Sequence, residues 1–312
     1  MALFAIAAIT TVLQILFSAF WHIFTIKSAT ADAEWAVWLL TFAPMYLIAM
    51  PIGLAIMRSI PSELRPSAKL GTKRFWTLML ICMPVMYAGN IIGTLLALIL
   101  SGGTAQNALV SLVSGNPLYT LLLAVIVAPI LEEYIFRKQI VDKLSRYGEK
   151  TAILFSALTF GLFHMNLFQF FYAFGLGAIF AYVYTRTRSL GYPIVMHMIV
   201  NFQGSILAPW IMQQLDLTIL DQLTSGNLDI QLLTDSLPGL MIYMVYSTLI
   251  MLTSVAGLVL LILNWKNQEF RPAEQELSKE EVIRTAFCNF GVIAFSIFCL
   301  IMILFTLLSG LL

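Results

Sequence analysis

Residues 151–185 read TAILFSALTFGLFHMNLFQFFYAFGLGAIFAYVYT. Thirty-five residues pass there without one Lys, Arg, Asp or Glu. A membrane-crossing helix needs about 20 predominantly apolar residues, so the run is too long for one helix and suits two short ones turning near Asn166. Working outward, the same test finds uncharged runs at 1–26, 35–57, 236–265 and from 285 to the end. The stretch between Arg74 and Glu132 is also uncharged, but Ser101-Gly102-Gly103-Thr104 and Gly115-Asn116-Pro117 break it into two spans. Pro193 opens another span. The reading is an all-α, polytopic bundle of about nine spans: 2–26, 36–57, 76–100, 118–141, 151–165, 169–186, 193–210, 238–264 and 286–309.

Composition agrees. Of 312 residues, 60% are hydrophobic and 11% charged, against about 45–50% and about 25% in soluble domains, and mean hydropathy is +0.90. A net charge of +1 lacks the basic excess of a nucleic-acid binder. Cys82, Cys288 and Cys299 have no paired spacing and read as small apolar residues rather than a disulfide framework. The first span lacks a basic leader and a small-residue cleavage site, so it reads as a retained helix.

Basic residues orient the bundle. Fifteen of the 17 Lys and Arg fall between spans two and three, four and five, six and seven, and eight and nine. The exceptions are Lys27 and Arg137. The segment 211–237 carries Asp216, Asp221, Asp229 and Asp235 and no basic residue. The N-terminus is expected in the cytoplasm and the C-terminus outside. No separate soluble domain is read, and 1–312 forms one integral membrane unit.

Ionisable residues inside spans cost about 2.5–3.5 kcal/mol each on insertion scales and mark function by default. Here they are Glu132, Glu133, Arg137, His164, His197 and His22, joined by Asn90, Asn201 and Gln203. Glu133 and Arg137, four apart, share a helix face and pair. Glu132 lies about 100° around the helix and is free for other work. His197 and Asn201 share a face one turn apart. A carboxylate with an imidazole activates water, and His with Asn stabilises an oxyanion. The same set offers a zinc site through His164, His197 and a Glu. His22, beside Trp21, is read as interfacial, without a polar companion at helical spacing and without a role. Gly175 and Gly177, with Ala173, Ala178 and Ala181, read as a close helix-packing surface.

Glu132-Glu133-x-x-x-Arg137, then Phe160-x-x-x-His164, then His197-x-x-x-Asn201, in order on successive membrane helices, resembles the CPBP intramembrane proteases, which include the CAAX prenyl endopeptidases and the Abi-type and lysostaphin-resistance-like bacterial proteins. The resemblance covers about 118–210, helices four to seven, as the catalytic core. It implies an intramembrane endopeptidase acting on a membrane-bound peptide or protein. Glu132 and His164 would activate water, His197 and Asn201 would stabilise the oxyanion, and Glu133 and Arg137 would support them. No cofactor is expected: a zinc site commonly draws on His-x-x-x-His, and Asn201 stands where the second His would be. The alternatives are a zinc-dependent version, a proton-relaying transporter, for which repeated halves are missing, and a non-catalytic scaffold or immunity protein. A bacterial cytoplasmic membrane is the expected location. Counted along straight helices at 1.5 Å per residue, His164 lies about 21 Å and His197 about 14 Å from their basic loops, so tilt or a partial span must bring them together.

Overall fold

In the computed structural model, residues 1–25, 33–63, 65–216, 218, 230–268, 270, 271, 273 and 275–308 are described. Among them the chain is helical throughout, without strands. The long helices are α1 (Ala2–Thr25), α2 (Glu34–Met57), α3 (Thr72–Leu100), α4 (Pro117–Tyr147), α5 (Glu149–Phe163), α6 (Leu167–Thr187), α7 (Gly191–Met212), α8 (Ile230–Asn264) and α9 (Phe290–Leu308). Each answers to one expected span. Eight are long and apolar enough to cross a membrane. The exception is α5, whose 15 residues reach about 22 Å at 1.5 Å each, short of a hydrocarbon core about 30 Å thick. Among the described residues the exact count of nine spans is therefore not confirmed: eight helices meet the length test and α5 falls short of it. The end residues 26 and 309, Lys27, Asp221 and Asp229 lie outside them.

Three helices widen into π turns for one sequence reason. The turns Pro44–Ala49, Thr120–Val127 and Gln203–Leu207 each stop two residues before a proline, Pro51, Pro129 or Pro209. At each exit the N–H reaches five residues back: Met50 to Met45, Ala128 to Leu123, Ala208 to Gln203. The following proline has no N–H and crowds the preceding turn. In that five-residue register the carbonyls of Tyr46, Ala124 and Gly204 are left without a helical partner.

Packing centres on α6, which lies between α3 and α5 and also touches α4 and α7. Gly89 and Gly93, one turn apart on α3, allow the close approach. A Cβ on Gly89 would stand 2.5 Å from the Tyr172 backbone nitrogen, and one on Gly93 2.6 Å from the Leu167 carbonyl. Small residues at such crossings are how membrane helices gain dispersion contact. The α1–α2 pair packs against this unit through a cluster holding Ile6, Ala49, Phe136, Phe160 and Phe295.

The basic loops gather at one end. Glu63 N–H donates to the Asp142 carbonyl (2.8 Å), Ala68 N–H to Thr187 (2.8 Å) and Gln275 N–H to Arg146 (3.1 Å). Buried Glu149 pairs with Arg65 (2.8 Å) and Arg186 and accepts the Arg271 N–H (2.8 Å). At the far turn of the α5–α6 hairpin, Asn166 Nδ2 donates to Asn107 Oδ1 (3.0 Å), just beyond the end of α3. The hairpin thus runs from the basic end to the opposite loop although α5 is short.

His22 is not isolated. Ser18 and Gln14 precede it by one and two turns, and all three line a cavity of about 510 Å³ with Trp21 and Thr41. The spacing is plain in the sequence, and reading His22 without a polar companion was an error.

Candidate active site

Glu132 and Glu133 lie in the α-helical stretch Ala128–Glu133, between the π turns Thr120–Val127 and Tyr134–Val141 of α4. The helical offset sends the two carboxylates to different neighbours. Glu133 is fully buried. Arg137 Nε donates to its Oε2 (2.7 Å) and Nη2 to its Oε1 (3.2 Å), with both side chains at 0% exposure. The guanidinium continues to Ser156 Oγ (2.8 Å) on α5 and lies 4.8 Å from the centre of the Phe160 ring. A carboxylate stripped of water is tolerable in such a place only with this compensation.

Glu133 does a second thing that the i,i+4 spacing does not reveal: its Oε1 faces His197 Nδ1 at 3.0 Å. A carboxylate only accepts, so Nδ1 carries the hydrogen, and the ring is held with Nε2 pointing outward. Nε2 stands 3.9 Å from Glu132 Oε2. That gap is too long for a hydrogen bond. Glu132 Oε1 accepts the Tyr46 hydroxyl at 3.0 Å. Tyr46 comes from α2, 86 residues away in sequence, and was missed by sequence reasoning.

His164 closes α5. Its Nδ1 donates to the Phe160 carbonyl at 2.8 Å, since a carbonyl only accepts, and in the neutral ring Nε2 then carries the lone pair. The next residue, Met165, has φ +48°, a left-handed conformation that usually favours Gly and here ends the helix directly after the imidazole. Phe160 touches both rings edge-on, with centroids 4.9 Å from His164 and 5.7 Å from His197. The two histidines therefore flank one phenyl group.

Asn201 lies one turn after His197 and donates Nδ2–H to the Ala124 carbonyl at 2.9 Å. That is one of the carbonyls left open by the π turn before Pro129. One amide hydrogen of Asn201 is thus committed to α4, leaving the second. Beyond it, Gln203 Nε2 donates to Tyr87 Oη (3.0 Å). Among the described residues, no three His, Cys, Asp or Glu side chains converge on a point where one ion would fit. Glu133 is already shared by Arg137 and His197.

Residues 114–203 match the family described as Type II CAAX prenyl endopeptidase, Rce1-like. The chain is 30% identical over 166 residues to YdiL of Bacillus subtilis (strain 168), named as a membrane peptidase; the match covers 50% of this chain and 66% of that protein. It is 39% identical over 84 residues to the membrane-embedded CAAX protease MroQ of Staphylococcus aureus (strain USA300), covering 24% of this chain and 34% of that one. The matched region thus spans less than two thirds of either relative. No solved structure matches. The chain is an integral membrane protein whose residues 114–203, running from the start of α4 into α7, are similar to the Rce1-like CAAX-protease family.

Proposed function

We propose that the protein is a membrane-embedded endopeptidase that hydrolyses a peptide bond of a membrane-associated peptide or protein, with Glu132 as general base. The observation that carries this is the division of labour between two adjacent carboxylates. Glu133 is fully engaged by Arg137 and His197, whereas Glu132 keeps one oxygen 3.9 Å from an imidazole nitrogen.

A water held by Glu132 Oε2 and the lone pair of His164 Nε2 loses its proton to Glu132 as its oxygen attacks the scissile carbonyl. The developing oxyanion is met by His197, which donates from Nε2 in its doubly protonated form while Glu133 orients the ring through Nδ1, and by the free amide hydrogen of Asn201. Glu132 then returns the proton to the leaving amine as the C–N bond breaks. A positioned base contributes about 10²–10⁴-fold, and one oxyanion donor about 10²–10³-fold. Glu132→Gln and His164→Ala are expected to abolish cleavage, and Asn201→Ala to leave a trace.

The test is cleavage of a peptide library by the purified protein in detergent, with and without Glu132→Gln and a chelator. Cleavage that is lost in the variant and unaffected by chelation supports the reading. Activity removed by the chelator and restored by zinc contradicts the metal-free mechanism and makes His164 and His197 ligands.

The shared basic end supports a cytoplasmic position for the loops holding Arg65, Arg146, Arg188 and Arg271, hence for the N-terminus, with the C-terminus outside. Ser67→Cys in sealed cells is expected to resist an impermeant maleimide. Labelling from outside would reverse the orientation.

A further inference from the structure

We propose that Tyr46 is the positioning residue of this site: its hydroxyl holds Glu132 Oε1 and leaves Oε2, the oxygen facing His197, to receive the proton from water. The inference rests on Glu132 being the base. It places a required group on α2, outside the matched segment 114–203, so the motif-bearing helices are incomplete without α2.

Three observations carry it. The first is the contact, a 3.0 Å hydrogen bond between side chains 86 residues apart. A bond from a hydroxyl to a carboxylate is charge-assisted and stops rotation of the carboxyl group, so its two oxygens become inequivalent. The second is how the Tyr46 ring is held. Trp38, Phe42 and Tyr46 follow one another at helical spacing with successive ring centroids 5.3 Å apart, and Tyr46 packs against the cluster that contains Phe136 and Phe160. Phe160, which touches both imidazoles, belongs to the same cluster. The third is the backbone. Tyr46 lies inside the π turn Pro44–Ala49, and single π turns within α-helices occur frequently at functional sites.

The full chain in detergent tests this, using Tyr46→Phe, which keeps the ring and removes only the hydroxyl. A hydrophobic carbodiimide reacts at a free carboxyl oxygen, and the Tyr46 hydroxyl occupies one of the two on Glu132. Modification of Glu132, followed by mass spectrometry, is expected to run about tenfold faster in Tyr46→Phe, with only the small drop in melting temperature that loss of one hydrogen bond brings. Phe42→Leu, which loosens the ring without touching the hydroxyl, should move the rate in the same direction by less. On any peptide the wild type cleaves, Tyr46→Phe should lower kcat about tenfold and leave KM unchanged, a split that a merely structural role would not produce. Combined with Glu132→Gln, it should have no further effect. Equal carbodiimide rates in wild type and Tyr46→Phe overturn the inference. If Glu132→Gln is inactive in that case, the proposed function stands without it. Cleavage retained by Glu132→Gln overturns the proposed function, and with it the role of Tyr46.

Discussion

Helices α6 and α8 invert the rule that governs soluble proteins. The more apolar of the two is α8, yet only 6% of its most apolar window is buried, against 50% for α6. In water the oilier helix goes inside. In a bilayer, lipid tails are as apolar as leucine, and nothing drives an aliphatic surface inward. What selects the interior helix is the ability to pack closely and to carry polar groups that need partners. Gly175, Gly177 and Ala173 give α6 the first property, and Tyr184, whose hydroxyl donates to buried Asp142 (3.0 Å), shows the second. Along α8 the side chains of Met241, Val245, Leu252, Val255 and Ile262 point outward.

That contrast is open to breaking. The largest loss is expected beside α6, where Arg137→Ala strands Glu133 inside the protein. Removing one partner of a buried pair typically costs about 3–5 kcal/mol, read as a large drop in melting temperature in detergent. Gly93→Leu, on the α3 face against α6, should cost less, about 1–3 kcal/mol, because overpacking forces backbone shifts. Val255→Leu on α8 should change stability by no more than about 0.5 kcal/mol, as outward positions away from special features usually do. A destabilisation by Val255→Leu as large as that by Gly93→Leu would mean that α8 is covered by protein rather than lipid.

The spans were legible because run length and charge are local properties. Glu133 with Arg137 was legible for the same reason, since a pair four apart is fixed by the helix itself. The short α5 was legible too, because an uncharged run of 35 residues suits two short helices turning near Asn166, and α5 ends at Phe163 with Asn166 capping α6. Tyr46 was invisible because its partner lies on another helix, although Pro51 marked the backbone that carries it. The tie from Glu133 to His197 is likewise a contact between α4 and α7 that helical spacing does not encode. Ser18 and Gln14 behind His22 were within reach of the i,i+4 rule and were overlooked.

At the centre of the account, two neighbouring glutamates are set apart by what surrounds them, Glu132 for chemistry and Glu133 for architecture. The most direct measurement is a side-by-side determination of peptide-cleavage rate and melting temperature for Glu132→Gln and Glu133→Gln. The account predicts that Glu132→Gln loses cleavage while melting close to wild type, and that Glu133→Gln, which weakens the ties to Arg137 and His197, melts well below it. Equal losses of melting temperature in the two variants, or cleavage surviving in Glu132→Gln, would contradict it.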